Sequence, residues 1–130
     1  MIEKGKLIAV VQTRMGSTRL PGKVMKEICG KPMLQLMLER LSKSKLIDEI
    51  VVATTTNPND NVIFDFAKKN GYNVFRGSEF DCLDRHYKTA IEFNASYIAK
   101  ITPDCPLIDP EVIDIVLDYF LKHLKQFDYV

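Results

Sequence analysis

The sequence predicts an α/β fold, a three-layer α/β/α sandwich around a mostly parallel sheet. Short apolar runs of strand length alternate with longer stretches of helical period. Their order is βαβαβαβα, which calls for parallel strands with helices on both faces. Two of the helical stretches open on Asn57-Pro58 and Asp109-Pro110, the pairing of N-cap residue and first-turn proline that starts a helix.

Leu7-Ile8-Ala9-Val10-Val11 is the first strand, and its unbroken apolar character marks it as buried. Met33 to Lys43 carries apolar residues at 33, 34, 37, 38 and 41, a helical spacing. Ile50-Val51-Val52-Ala53-Thr54 is the second strand. The helix after Asn57-Pro58 puts Val62, Ile63, Phe66 and Ala67 on one face and stops at Asn70-Gly71, where glycine supplies the left-handed residue that ends a helix. Tyr72 to Phe75 is a third, short strand. Ser78 is expected to cap a helix whose inner face is Phe80, Leu83, Tyr87, Ala90 and Ile91. Tyr97 to Ile101 is the fourth strand. The last helix follows Asp109-Pro110 and is expected to bury Ile113, Val116, Leu117, Phe120 and Leu124. Phe127-Asp128-Tyr129-Val130 reads as the start of another strand, so residues 1–130 are expected to be one domain forming the N-terminal part of a longer protein.

The 130 residues are enough for one domain with its own core. A net charge of +1 gives no sequence-wide attraction to nucleic acid or anionic membrane, so any anion site must be a local cluster. Cys29, Cys82 and Cys105 are odd in number and lack metal-ligand spacing, which makes a reduced, cytoplasmic protein the expectation. Lys4 and Lys6 precede an apolar run of only five residues, too short for a secretion signal, and no segment is long and apolar enough to span a membrane.

In an open parallel sheet, ligands bind beyond the carboxyl ends of the strands. The first such loop runs Gln12-Thr13-Arg14-Met15-Gly16-Ser17-Thr18-Arg19-Leu20-Pro21-Gly22-Lys23. Its glycines allow close backbone approach, and its amides, hydroxyls and cations suit a polyphosphate. It is not a Walker A loop: five residues separate Gly16 from Gly22 where four are required, and Val24 rather than Ser or Thr follows Lys23. It also lacks the third glycine of a dinucleotide fingerprint. The other loops are Thr54 to Asn57, Arg76 to Glu79 and Thr102 to Pro106.

Asp104 lies in the last of these between two prolines. It is either a turn cap or one carboxylate ligand for Mg²⁺, which takes its remaining ligands from water and substrate phosphates. Cys105 reads as small core filling. His86 reads as solvated or structural, and His123 suits a helix C-terminus. Asp81 and Asp84 lie where a helix dipole favours acids, and Arg85 is placed to turn toward the third loop.

Ser17-Thr18-Arg19-Leu20-Pro21-Gly22-Lys23 resembles the signature loop of the sugar-acid cytidylyltransferases. The longer pattern resembles the spore coat polysaccharide biosynthesis protein F (SpsF) family. It includes Gln12 to Lys23, Ile50 to Thr56, Phe75-Arg76-Gly77-Ser78 with Leu83-Asp84-Arg85, and Ile101 to Ile108. The resemblance covers essentially the whole chain. It implies a nucleotide-diphosphosugar transferase, Rossmann-like α/β sandwich and a nucleotidyltransferase that joins CTP to a sugar or sugar acid with Mg²⁺ and releases pyrophosphate. By resemblance, Arg14, Ser17, Arg19 and Lys23 bind the triphosphate and Gly16 lets the backbone approach it. Gln12 and Thr54 lie near base and ribose, Arg76 and Ser78 close the nucleotide pocket, and Asp104 holds the metal. The catalytic set so implied is Lys23, Arg14 and Asp104. Family members are longer; their second half carries a further metal aspartate, much of the sugar pocket and the homodimer contact. Two alternatives stay open: a glycosyltransferase or other-base nucleotidyltransferase on the same fold, and a non-catalytic nucleotide-binding fragment. Asp104 lacks the second Asp two residues away that a paired-aspartate glycosyltransferase motif would need, since position 106 is Pro.

Overall fold

A computed structural model describes residues 5–130, so Lys4 lies outside the described residues. The strands are β1 (Leu7–Gln12), β2 (Glu27–Ile28), β3 (Lys31–Pro32), β4 (Glu49–Thr55), β5 (Asn73–Gly77) and β6 (Tyr97–Ile101). The α-helices are α1 (Met33–Leu41), α2 (Asn61–Lys69), α3 (Cys82–Glu92) and α4 (Pro110–Lys122). The main sheet has the order β5-β4-β1-β6 and every pairing in it is parallel. Val10 at its centre stands beside Val51 of β4 and Lys100 of β6. The chain steps outward from β1 to β4 to β5, then crosses back to lay β6 on the other side of β1. That reversal makes the gap between β1 and β6 the topological switch point, where open α/β sheets bind their ligands.

Because successive strand residues point to opposite faces, β1 feeds two cores. Ala9 and Val11, with Val52, pack on Leu34, Met37, Leu38 and Leu41 of α1 and on Ile63 and Ala67 of α2, and Ile113 of α4 lies against the same cluster. Ile8 and Val10, with Val51 and Ala53, pack on Phe75, Phe93 and Ala95 on the face that α3 covers. The layers are therefore α1, α2 and α4, then the sheet, then α3. Leu7 to Val11 are at most 1% exposed, which explains the unbroken apolar run.

Local signals account for several element ends. Asn57 Oδ1 accepts from Asn59 N at 2.8 Å to open a 3₁₀ turn over Pro58–Asp60 that leads into α2. Asp109 Oδ1 accepts from Glu111 N at 2.9 Å at the head of α4. Gly71, at φ 75°, terminates α2. The small β2–β3 hairpin, which hydrophobic patterning did not reveal, turns through Cys29 (φ 52°) and Gly30 (φ 82°), the double left-handed turn that matches strand twist.

Several expectations need correction. The third strand begins at Asn73, because Tyr72 instead stacks on Phe66. Asp81, not Ser78, caps α3, accepting from Asp84 N at 2.9 Å, while Ser78 Oγ accepts from Asp81 N in the preceding turn. The inner face of α3 is inverted. Arg85, His86 and Thr89 are buried, whereas Phe80 is 95% and Leu83 80% exposed, and Tyr87 and Ile91 are also outside. The polar face can be buried because it satisfies most of its own groups. Arg85 Nη1 donates to Ser78 O at 2.8 Å, His86 Nδ1 to Cys82 O at 2.8 Å, and Thr89 Oγ1 to Arg85 O at 2.6 Å. In α4, Leu117 is buried but Val116 is exposed, and Leu124 lies past the helix end and is exposed too. Residues 127–130 are not a strand; a strand needs a partner ladder, and none meets them among the described residues.

Gly77 permits the rotation of α3. A Cβ there would lie 2.9 Å from the Phe75 ring and 3.0 Å from Arg85 Cγ. Gly77→Ala is therefore expected to destabilise the fold by about 1–3 kcal/mol through overpacking, measured by urea denaturation with an unchanged m-value.

Candidate active site

The loop after β1 is built from its ends inward. Thr13 N donates to Ala53 O at 2.9 Å, extending the β1–β4 ladder past the strand. Met15 O then accepts from Ser17 N at 3.0 Å and Gly22 N at 2.9 Å, closing the loop on itself. Gly22, at φ 69°, takes the left-handed conformation that this closure requires. Directly after it, Lys23–Met25 form a 3₁₀ turn whose Val24 is 1% exposed and packs into the α1 core. Lys23 thus sits between a fixed glycine and a buried anchor, with its side chain over the switch point. Its Nζ donates to Asp104 Oδ2 at 3.1 Å. Asp104 reaches it from the loop after β6, a loop held by Ile108 N donating to Cys105 O at 3.0 Å and Arg40 Nε donating to Ile108 O at 2.7 Å.

Between these loops lies a polar cleft of about 290 Å³. Gln12, Arg14, Ser17, Arg19, Lys23 and Asp104, all expected at the site, line it together with Thr13, Thr18, Val24, Thr102, Pro103 and Arg85. Four cations face one carboxylate, so the cleft suits a polyanion. Two buried groups in its wall, Thr13 Oγ1 and Arg85 Nε, have no hydrogen-bond partner in the protein. Both are donors that a bound ligand can satisfy. A larger cavity of about 490 Å³ lies behind the β2–β3 hairpin, but it is apolar, lined by Ile28, Leu36, Pro106 and Leu107 with Glu39, Arg40 and Lys43, and it shares no residue with the cleft.

Four expected residues do not line the cleft. Thr54 is fully buried and its Oγ1 has no partner. Gly16 stands outside the lining, and a Cβ there would meet only Arg14 Nη1 at 3.8 Å, so protein crowding does not demand a glycine. Ser78 is occupied in the turn before α3. The Arg76 guanidinium is consumed by Thr55 O (2.8 Å), Asn61 Oδ1 (2.7 Å) and Asn57 O (2.9 Å), where it holds the loop after β4. Arg85, in contrast, belongs to the cleft although hydrophobic periodicity had placed its helix face outward. The sequence signal for it was a cation one turn into a helix that follows the third loop. Cys105 is exposed rather than core filling. His86 is buried, and burial pushes its pKa down, which favours its neutral form.

Among the described residues no three or more His, Cys, Asp or Glu side chains cluster as a metal site. Among the described residues Asp104 is the only carboxylate lining the cleft. That donor set fits Mg²⁺ only as Mg²⁺ is usually held with nucleotides, by one or two carboxylates plus phosphate oxygens and water.

Residues 8–129 match the cytidylyltransferase family. The chain is 45% identical to an uncharacterized protein of Methanocaldococcus jannaschii over 96% of this chain and 51% of that protein. It is 33% identical to the spore coat polysaccharide biosynthesis protein SpsF of Bacillus subtilis over 95% of this chain and 53% of SpsF. Its structure resembles a cytidylyltransferase from Leptospira borgpetersenii with a TM-score of 0.86 at 43% identity, covering 92% of this chain and 50% of that one. It also resembles a CMP-2-keto-3-deoxy-manno-octonic acid synthetase complexed with CTP, with a TM-score of 0.76 at 27% identity, covering 90% and 48%. The chain spans about half the length of the curated relatives it matches.

The Lys23 ammonium holds the Asp104 carboxyl below its usual range, chiefly through their hydrogen bond. A carboxyl depressed on folding contributes stability above its unfolded pKa of about 3.9 and loses it as pH falls through the folded value. The pair is therefore complete at neutral pH and breaks in acid. Lys23→Met should raise the Asp104 pKa toward the ordinary value with little change in melting temperature, because an exposed pair stabilises weakly. Carboxyl ¹³C NMR titration reads this directly, and an unmoved Asp104 would show that the two groups are not paired in solution.

Proposed function

Because the chain belongs to the cytidylyltransferase family, we propose that it forms the nucleotide-binding part of an enzyme that activates a sugar or sugar acid with CTP and releases pyrophosphate. The observation that carries this reading is the pairing of Lys23 with Asp104 across a cationic cleft at the switch point of the sheet. A triphosphate entering the cleft replaces Asp104 as the partner of Lys23, and Arg14, Arg19 and the Ser17 hydroxyl take its remaining oxygens. Gln12 and Thr13, nearer the sheet, receive the nucleoside end. Arg85 closes the inner wall with an Nε that still has a bond to give.

In the transfer, a sugar hydroxyl attacks the α-phosphorus of CTP in line with the departing pyrophosphate. Negative charge grows on the α-phosphate and leaving oxygens, and cations fixed beforehand at those positions lower the barrier. Lys23 is well suited, because its backbone is set by Gly22 and Val24 before any ligand arrives. Asp104, released from Lys23, would hold Mg²⁺ together with phosphate oxygens. When bound, that ion would neutralise the triphosphate and orient its leaving group. The SpsF similarity supports a product used in surface polysaccharide synthesis.

A second reading has its own observation. The cleft lining is chemistry for phosphate, dominated by cations, hydroxyls and one carboxylate. These residues would then bind nucleotide without turning it over, which a pyrophosphate-release assay beside a CTP-binding measurement separates.

Lys23→Ala is expected to weaken CTP binding roughly ten- to hundredfold, the worth of a charge-assisted contact of about 1.5–3 kcal/mol, while leaving the fold intact. Calorimetric titration at matched salt checks it, and an unchanged dissociation constant removes Lys23 from the site. Asp104→Asn should abolish any Mg²⁺ dependence of CTP binding without moving the melting temperature of the free protein. A free protein that instead loses several degrees while Mg²⁺ dependence persists makes Asp104 a turn cap.

A further inference from the structure

Asp60 is 3% exposed and is the one buried carboxylate among the described residues. It occupies the N-cap position of α2, yet its side chain makes no capping hydrogen bond there, so the usual reason for an aspartate at a helix start does not apply. It also joins none of the ion pairs found among the described residues. Its carboxylate turns instead toward the phosphate loop, where Oδ1 accepts from Met15 N at 2.7 Å. Oδ2 accepts from the Thr55 hydroxyl. A buried carboxylate is costly unless it is hydrogen-bonded, and here both oxygens are used to join two loops.

Met15 is the residue on which the phosphate loop closes, since its carbonyl receives both Ser17 N and Gly22 N. One residue is therefore held at its N–H by Asp60 and closes the loop with its C=O. Its neighbours in sequence are Arg14 and Gly16, and the closure fixes Gly22 next to Lys23. The support continues behind Asp60. Thr55 Oγ1 accepts from Asn57 N at 3.1 Å, and the Arg76 guanidinium clamps the Thr55 and Asn57 carbonyls at 2.8 and 2.9 Å. The arginine expected at the nucleotide instead belongs to this support, and hydrogen bonds link the loops after β1, β4 and β5.

We propose that Asp60 is the positioning residue of the phosphate loop, acting through the Met15 peptide to set where Lys23 and the loop arginines stand. This rests on the nucleotide-binding reading given above. Asp60 is not part of the cleft lining; it acts only through the loop.

The test measures binding of inorganic tripolyphosphate and of CTP by calorimetry, together with exchange of the Met15 amide by NMR. Asp60→Ala should weaken tripolyphosphate binding about tenfold or more, as loss of a cationic contact does. Asp60→Asn, which keeps an oxygen for the Met15 amide, should recover most of that loss. Lys23→Ala should cost clearly less in the Asp60→Ala background than in the wild type, because the two act through one contact. Wild-type affinity in a folded Asp60→Ala, or strictly additive losses, overturns the proposal. If Asp60→Ala does not fold, exchange decides. A Met15 amide that is protected in the wild type and exposed by Thr55→Val supports the proposal, and one that exchanges like an open loop in the wild type overturns it. A wild type that binds tripolyphosphate but not CTP would instead defeat the nucleotide reading and leave the positioning role standing.

Discussion

β1 is hydrogen-bonded along both edges and buried on both faces, and the position of every loop around the cleft follows from it. Its register with β4 and β6 places Gln12 beside Ala53 and Val11 beside Ile101, so the three strands end almost level. Parallel strands that end level send their following loops to the same edge. The reversal of direction at β1 leaves the loop after it facing the loop after β6 with no helix between them. Lys23 and Asp104, separated by 81 positions, meet because of that reversal.

The cleft concentrates cations, which a folded protein does not do without compensation. Like charges within a Debye length repel, and the repulsion is screened only where water reaches them. Asp104 supplies compensation inside the cleft through its exposed contact with Lys23. Asp60 lies outside the cleft lining, and both its oxygens are committed to hydrogen bonds within the fold. The two carboxylates are differently placed: one is exposed in the cleft beside a lysine, and the other is buried between two loops. Arg76 likewise looks like a ligand-binding arginine in sequence but spends its donors on two backbone carbonyls and the Asn61 side chain. Its planar fork suits such a clamp as well as it suits a phosphate.

α3 shows two faces competing for one sheet. Its stripe of Leu83, Tyr87 and Ile91 is the more apolar and is the one left exposed. The stripe that packs inward carries Arg85, His86 and Thr89, whose polar groups bond largely to their own helix and to the Ser78 carbonyl. Gly77 lets this face approach closely. The orientation puts a guanidinium in the cleft wall, which the alternative rotation would not do.

The sequence alone determined the class of fold, the order of its main elements and the composition of the loop after β1. Those follow from local properties: hydrophobic period, cap chemistry at Asn57 and Asp109, and the run of glycines, hydroxyls and cations after β1. The resemblance carried by Ser17 to Lys23 was legible for the same reason, because it lies in one contiguous run of residues. Tertiary structure alone decided which polar residues face the cleft. Arg76 and Arg85 are both arginines near the third loop, and only the direction of their hydrogen bonds separates a clamp from a cleft residue. The rotation of α3 was hidden because periodicity weighs apolar area and cannot count bonds that a buried polar face makes to its own backbone. Asp60 carried no signal in the sequence because its partner, the Met15 amide, is 45 positions away. A contact of that kind exists only once the sheet has brought the two loops together.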